Sequence, residues 1–182
     1  GQVAPYKGLE YLVQSLVHLR KTGTPYRLLI AGRIKKNAED YWKEIQETIS
    51  RSDLASLILS RIEFIPDEET EIYFKAADVL VLPYVYIFQS GVLFLSYNFG
   101  LPVLAADVGS LKENIVEGRT GFVFRPKDPL SLARTIEVFF DSELYRNLPD
   151  RRKDIRRLAS QNNSWNTVAS STIQVYGELL NT

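Results

Sequence analysis

Residues 77–121 constrain the fold more than any other part of this chain. Residues 79–82 form a short apolar run of the length of a buried strand, and residues 103–106 form a second. Between them, Gln89, Ser90 and Gly91 open what reads as an amphipathic helix, which Gly100, Leu101 and Pro102 close. Two buried strands joined through a helix make a parallel pair with a right-handed crossover. Such a unit carries a helix N-terminus and unpaired backbone N–H groups to the carboxyl edge of the sheet, where an anion is stabilised.

The rest of the chain repeats the alternation. Leu9, Leu12, Val13, Leu16 and Val17 have helical spacing within residues 7–21. Residues 22–25 read as a turn and residues 26–31 as a strand ended by Gly32. Tyr41, Trp42, Ile45 and Ile49 form the apolar stripe of a helix over residues 39–50. Residues 54–59 fit either helix or strand. Residues 62–65 read as a strand stopped by Pro66, and Asp67 as the cap of a helix running to Ala76. A short helix capped by the Ser110 hydroxyl is expected over residues 110–116, and a strand over residues 120–124. Asp128 and Pro129 supply a cap and a first-turn proline for a further helix. The chain then reads as helical to Thr182, with breaks at residues 147–149 and 161–164. The fold class is therefore α/β: a Rossmann-like, doubly wound parallel sheet with helices on both faces.

Composition narrows the function. The chain has 182 residues, enough for one domain with a sizeable core, and we read residues 1–182 as that single domain. Acidic and basic residues balance at 22 each, so no global field attracts nucleic acid or an acidic membrane. The basic run at residues 151–157, RRKDIRR, reads as a solvated helix face. There is no cysteine and one histidine, His18, which excludes disulfides, thiolate metal sites and a His-rich zinc site within this chain. No signal peptide or membrane-spanning apolar segment is visible. The sequence opens on Gly1-Gln2-Val3 without a methionine and reads as a piece of a longer protein.

The ordered segments KGLEYL, LLIAG, FIPDEE, AADVLVLPY, GLPVLAADVGSLKE and GRTGFVF, with SW and VYGELL near the end, carry a resemblance. Together they are similar to the carboxyl-terminal, donor-binding domain of retaining GT-B glycosyltransferases of the family 4 group (glycosyl transferases group 1). The resemblance implies one half of a GT-B architecture, with the acceptor domain in an absent amino-terminal part. It implies transfer of a sugar from a nucleotide-sugar to a glycan or lipid-linked acceptor, in glycan or polysaccharide biosynthesis. This piece alone is expected to be inactive. A cytoplasmic location, or one at the surface of the inner membrane for the full-length protein, goes with it. No nucleic-acid partner is expected.

Expelling a nucleoside diphosphate builds negative charge on the leaving phosphates, so fixed positive charge and oriented N–H groups are needed there. No Asp-x-Asp metal motif is present. The expectation is no cofactor and no required metal, with basic residues and a helix dipole in that role. Lys7, in Pro-Tyr-Lys-Gly, matches the family's phosphate-binding lysine; the family's arginine five residues earlier is Gln2 here. Gln89, Ser90 and Gly91 match the segment that contacts the donor's sugar or phosphates; Ser90 alternatively only caps its helix. Phe64, Ile65 and Pro66 occupy the nucleobase-holding position, equally readable as an ordinary strand end. Arg33, with Lys35 and Lys36 nearby, follows a strand end that borders the cleft, though a solvated loop is the plainer reading. Glu113 matches a turn glutamate, or else pairs locally with Lys112 or Arg119. The two glutamates that many relatives carry fall at Ile87 and Leu95, which removes a sugar contact and a ribose contact. A degenerate, non-catalytic binding or scaffold domain is therefore the alternative.

Tyr73, Phe74, Tyr84, Tyr97 and Phe99 fall at core spacing, whereas Tyr86, Ile87 and Phe88 form an apolar loop tip. In the last helix, Trp165, Val168, Ile173, Val175, Tyr176, Leu179 and Leu180 cannot share one stripe. Some of them are expected to face the absent domain.

Overall fold

The computed structural model describes residues 1–23, 25–162 and 165–180; the side chains of residues 161–168 and 171 lie outside that description. The strands are β1 Gln2–Val3, β2 Leu28–Ala31, β3 Arg33–Ile34, β4 Ile58–Arg61, β5 Leu80–Leu82, β6 Val103–Ala106 and β7 Gly121–Phe124. The helices are α1 Leu9–Thr22, α2 Glu39–Arg51, α3 Asp67–Ala76, α4 Gly91–Asn98, α5 Pro129–Asp141, α6 Glu143–Arg146, α7 Leu148–Asn162 and α8 Trp165–Leu180. Every strand pairing among the described residues is parallel: β1 with β3, β2 with β4, and β6 between β5 and β7.

Strand β6 is buried along its whole length, because it has a neighbour on each edge and helices above and below. On one side α1 packs against α2 and α5, burying Leu12, Val13, Leu16 and Leu19 with Leu132, Ile136 and Phe139. On the other, α4 lies against α7. The doubly wound α/β arrangement expected from the alternation is thus present, with the pairings falling into three parallel patches.

Several local expectations need correction. Residues 62–65 are not a strand; the strand is β4, in register with β2 from Leu28 opposite Ile58 to Ala31 opposite Arg61. Leu59 on β4 is 69% exposed, so this strand lacks the inward alternation that reveals a strand in sequence. Helix α4 is apolar around its circumference rather than amphipathic, because α7 covers a face that would otherwise meet water. Asp67 opens α3 without a side-chain cap; the carbonyl of Pro66 accepts from Glu69 and Thr70 instead. The expected helix over 110–116 shrinks to one 3-10 turn, Lys112–Asn114, and the Ser110 hydroxyl donates to the Phe88 carbonyl instead of capping it. Asp128 does cap α5, accepting from the Ser131 amide at 2.9 Å.

The basic run in α7 is more than a solvated face. Arg152 is half-buried and its guanidinium reaches the carbonyls of Phe74, Ala77 and Phe99. It ties the carboxyl ends of α3 and α4 to α7, and the neighbouring Ile155 is fully buried. Burial pulls the Arg152 pKa down, and Asp78 partly opposes that. Arg152→Ala removes a charged donor from carbonyls at two helix ends. We expect it to lower stability by about 1–3 kcal/mol, read as a fall in Tm; an unchanged melting curve would show that the staple contributes nothing.

On α8, Ile173, Val175, Tyr176, Leu179 and Leu180 are all exposed, whereas the uneven spacing predicts that only some of them face away from this domain. The break expected at residues 161–164 does not begin at 161, since α7 continues through Asn162; residues 163–164 and the side chains of Trp165 and Val168 lie outside the described residues.

Candidate functional site

Three loops meet at the carboxyl edge of the strands. Residues 4–8 follow β1, residues 83–90 follow β5, and residues 107–110 follow β6. The Val85 amide donates to the Tyr6 carbonyl at 2.9 Å, joining the first two loops. The Ser110 amide, at 3.0 Å, and its hydroxyl, at 2.9 Å, both donate to the Phe88 carbonyl, joining the last two.

Lys7 is placed by a sharp local device. Pro5–Lys7 is a 3-10 turn, and Gly8 then takes φ 63° before α1 begins. A Cβ on Gly8 would stand 2.0 Å from the Pro83 carbonyl oxygen, so only glycine allows both the turn and this approach. The Lys-Gly pair is thereby read physically: the glycine brings the β1 loop against the β5 loop, and the lysine arrives with it. The Lys7 ammonium lies 5.5 Å from the Tyr84 ring centroid and 6.0 Å from that of Tyr6. Burial lowers the Lys7 pKa, and Tyr6 opposes the shift in part. Among the described residues, no carboxylate forms a salt bridge with it.

Tyr84 links Lys7 to the start of α4. Its ring is buried and its hydroxyl lies near the buried Ser90 side chain. Burial raises the Tyr84 pKa, and the neighbouring Ser90 side chain partly opposes that. Ser90 is the residue before α4, but its side chain does not cap the helix. Its side chain is buried, and the first-turn amides of α4 have no side-chain acceptor. A Cβ on Gly91 would meet nothing within 4 Å, so the space in front of this helix start is open. Gln89, beside it, is exposed.

The other candidates are placed as follows. Gln2 pairs in register with Arg33 across β1 and β3, a pairing that the sequence did not reveal. Lys35, just beyond β3, places its ammonium 5.7 Å from the Tyr6 ring centroid. Phe64, Ile65 and Pro66 form the loop between β4 and α3, where Phe64 is exposed. Arg61 braces this loop from below, paired with Glu63, with Glu69 at 2.5 Å and with the Tyr73 hydroxyl at 2.6 Å. Glu113 stands apart, lining a shallow hollow with Tyr97, Asn114, Thr120 and Leu158. It forms no salt bridge among the described residues; Lys112 pairs with Asp107 instead, at 2.9 Å. Ile87 and Leu95 are half-buried and apolar. Tyr86 and Phe88, 73% and 83% exposed, project from the same loop.

Residues 1–142 match the family described as glycosyl transferases group 1. This chain belongs to that family. It is 32% identical over 133 residues to a D-inositol 3-phosphate glycosyltransferase of Streptomyces scabiei, covering 72% of this chain and 29% of that protein. It is 26% identical over 176 residues to a glycogen synthase of Mycobacterium tuberculosis, covering 97% of this chain and 41% of that protein. The fold superposes on Anabaena HepE in complex with UDP with a TM-score of 0.83, at 20% identity, covering 98% of this chain and 47% of HepE. It also superposes on the C-terminal domain of a group 1 glycosyl transferase from Francisella tularensis, with a TM-score of 0.77 at 16% identity, covering 89% of this chain and 82% of that one. The chain spans less than half the length of these curated relatives, and its fold is that of the carboxyl-terminal half of a GT-B glycosyltransferase. No helix among the described residues is long and apolar enough to cross a membrane.

Proposed function

We propose that this chain is the donor-binding half of a glycosyltransferase that moves a sugar from a nucleotide-sugar to a glycan or lipid-linked acceptor. The acceptor is held by a second domain, outside this sequence. The observation that carries this reading is the placement of the Lys7 ammonium 5.5 Å from the Tyr84 ring, on the loop that leads into the uncapped start of α4.

The chemistry follows from that placement. As the bond between the sugar and the diphosphate breaks, charge accumulates on the phosphate oxygens. A lysine ammonium and a helix N-terminus interact more strongly with that charge than with the intact donor, which lowers the barrier. The helix end contributes about 0.3–1 kcal/mol at an exposed site. Lys7 and α4 take the role that a metal ion plays elsewhere, so activity is expected to survive chelation. The partners are a nucleotide-sugar and an acceptor, with no nucleic acid.

A scaffold domain that has kept the fold and lost catalysis is the second reading, favoured by the apolar, half-buried Ile87 and Leu95. Titrating the full-length protein with UDP-, GDP- and ADP-sugars separates the two. Saturable binding of one of them, with sugar release, supports the enzyme; absence of binding across the panel leaves the scaffold.

Lys7 also gives a pH signature. Its pKa is lowered on folding, so between that lowered value and the ordinary lysine value the unfolded chain binds more protons than the fold. Stability of the unliganded protein therefore rises with pH in that window. Affinity for a nucleoside diphosphate falls in the same window, because the ammonium is being lost. Opposite slopes of Tm and of affinity are the expected result. Parallel slopes would mean that Lys7 is not the titrating contact.

A further inference from the structure

We propose that Lys35 supplies a second positive charge to the nucleoside-diphosphate site, acting beside Lys7 across the ring of Tyr6. The inference rests on the donor-binding reading above and adds a residue to it.

A diphosphate leaving group carries more negative charge than one ammonium can match. Gln2 donates hydrogen bonds but brings no charge. The structure nevertheless assembles two ammonium groups on one aromatic ring, Lys7 at 6.0 Å and Lys35 at 5.7 Å from the Tyr6 centroid. They arrive from different parts of the chain. Lys7 comes from the loop after β1, and Lys35 from the residue after β3. The pairing of β1 with β3 brings those segments together, and the Lys35 amide extends it by donating to the Val3 carbonyl at 2.9 Å.

Here no salt bridge among the described residues involves Lys7 or Lys35, although eleven are formed elsewhere, six of them between close neighbours on helices. The ring attracts both cations, but weakly, by about 0.5–1 kcal/mol at an exposed site. An anion between or beside them would neutralise the pair far better. A diphosphate has the charge and the spread of acceptor oxygens for two separated donors. Tyr6 itself is anchored, since its carbonyl accepts from the Val85 amide of the β5 loop. Both ammonium groups therefore share a ring on a fixed base, with Tyr84 next to Lys7. Lys36, next in sequence, is exposed and makes no ring contact among the described residues.

The test uses the full-length protein and calorimetric titration with UDP, GDP and ADP, followed by the tightest of the three with each variant. Lys35→Ala is expected to weaken that nucleoside diphosphate about tenfold, as loss of one charged contact does. Lys35→Arg should retain most of the affinity, and Lys36→Ala, which removes the same net charge one residue away, should change it less than twofold. The slope of log affinity against log salt should flatten in Lys35→Ala and not in Lys36→Ala. If Lys7→Ala weakens binding and Lys35→Ala leaves affinity and salt slope unchanged, the second cation is wrong and the donor site stands. If Lys36→Ala weakens binding as much as Lys35→Ala, the effect is general surface charge and the inference also fails. If none of the three diphosphates binds the parent protein, the donor-binding reading falls and takes this inference with it.

Discussion

Replacing Lys7 with alanine in the full-length protein is expected to lower turnover about a hundredfold, the scale set by losing one preorganised group from a developing negative charge. The Tm should stay close to that of the parent. Two opposing terms keep the stability change small. The variant gives up the cation–π contact with Tyr84, worth about 0.5–1 kcal/mol. It also removes an ammonium whose burial is unfavourable, as its lowered pKa records. No salt bridge to Lys7 is broken, because none is formed among the described residues. Turnover should fall more than ground-state donor affinity, since the interaction grows as the leaving group separates. Steady-state kinetics beside a thermal melt would read both. A Lys7→Ala enzyme with full kcat/KM would remove Lys7 from the site and move the scaffold reading ahead of the enzyme.

How far the sequence foretold this arrangement depended on whether a residue's role is local. Strand β6 was legible residue for residue, because a strand buried on both faces must be apolar at every position and is bounded by Pro102 and Asp107. The α5 start was equally legible, since Asp128, Pro129 and Ser131 make a cap by their own spacing. Strand β3 was not legible: two residues have no periodicity, and Arg33–Ile34 is a strand only because β1 lies beside it. The same holds for β4, whose exposed Leu59 hides the alternation and whose identity comes from its register with β2.

The site divides in the same way. Ser90 and Gly91 stood out because small residues at a helix start have a local meaning, and Lys7 because its Lys-Gly pair resembles the family's motif. Tyr84 was read only as core. It is core, but its ring also carries the Lys7 ammonium. No signal in the sequence separates a buried tyrosine that merely fills space from one that forms a wall. Lys35 read as a solvated loop for a similar reason: its neighbour Tyr6 is distant in the chain. Arg152 was hidden among other charges, and only the approach of α3 and α4 gives it three carbonyls to serve.

Gly91→Val should weaken nucleotide-sugar binding at least about tenfold while leaving the protein folded. The first position of α4 has open space where a side chain would go, with no atom within 4 Å of the added Cβ. The Cβ of a valine there is accommodated, and Gly91 itself is exposed, so its branches have room toward solvent. Its helix propensity is slightly better than that of glycine, and it narrows the unfolded ensemble, so stability should change by less than about 1 kcal/mol. The open space has a different meaning for a ligand. If phosphate oxygens approach the backbone N–H groups at this helix start, two methyl groups at Gly91 stand in their path, and water or the parent glycine does not. Affinity for the donor should then fall at least about tenfold, on the scale of losing one charged hydrogen bond, with the melting curve little changed. That combination separates an anion site from a helix start whose only role is structural. A structural role predicts a valine variant that both folds and binds, because the added Cβ meets open space. Gly91→Ala provides the graded intermediate, with one methyl group in place of two branches. Should Gly91→Val bind the donor as tightly as the parent, the phosphates do not lie at the start of α4, and Lys7 must meet them elsewhere along the carboxyl edge.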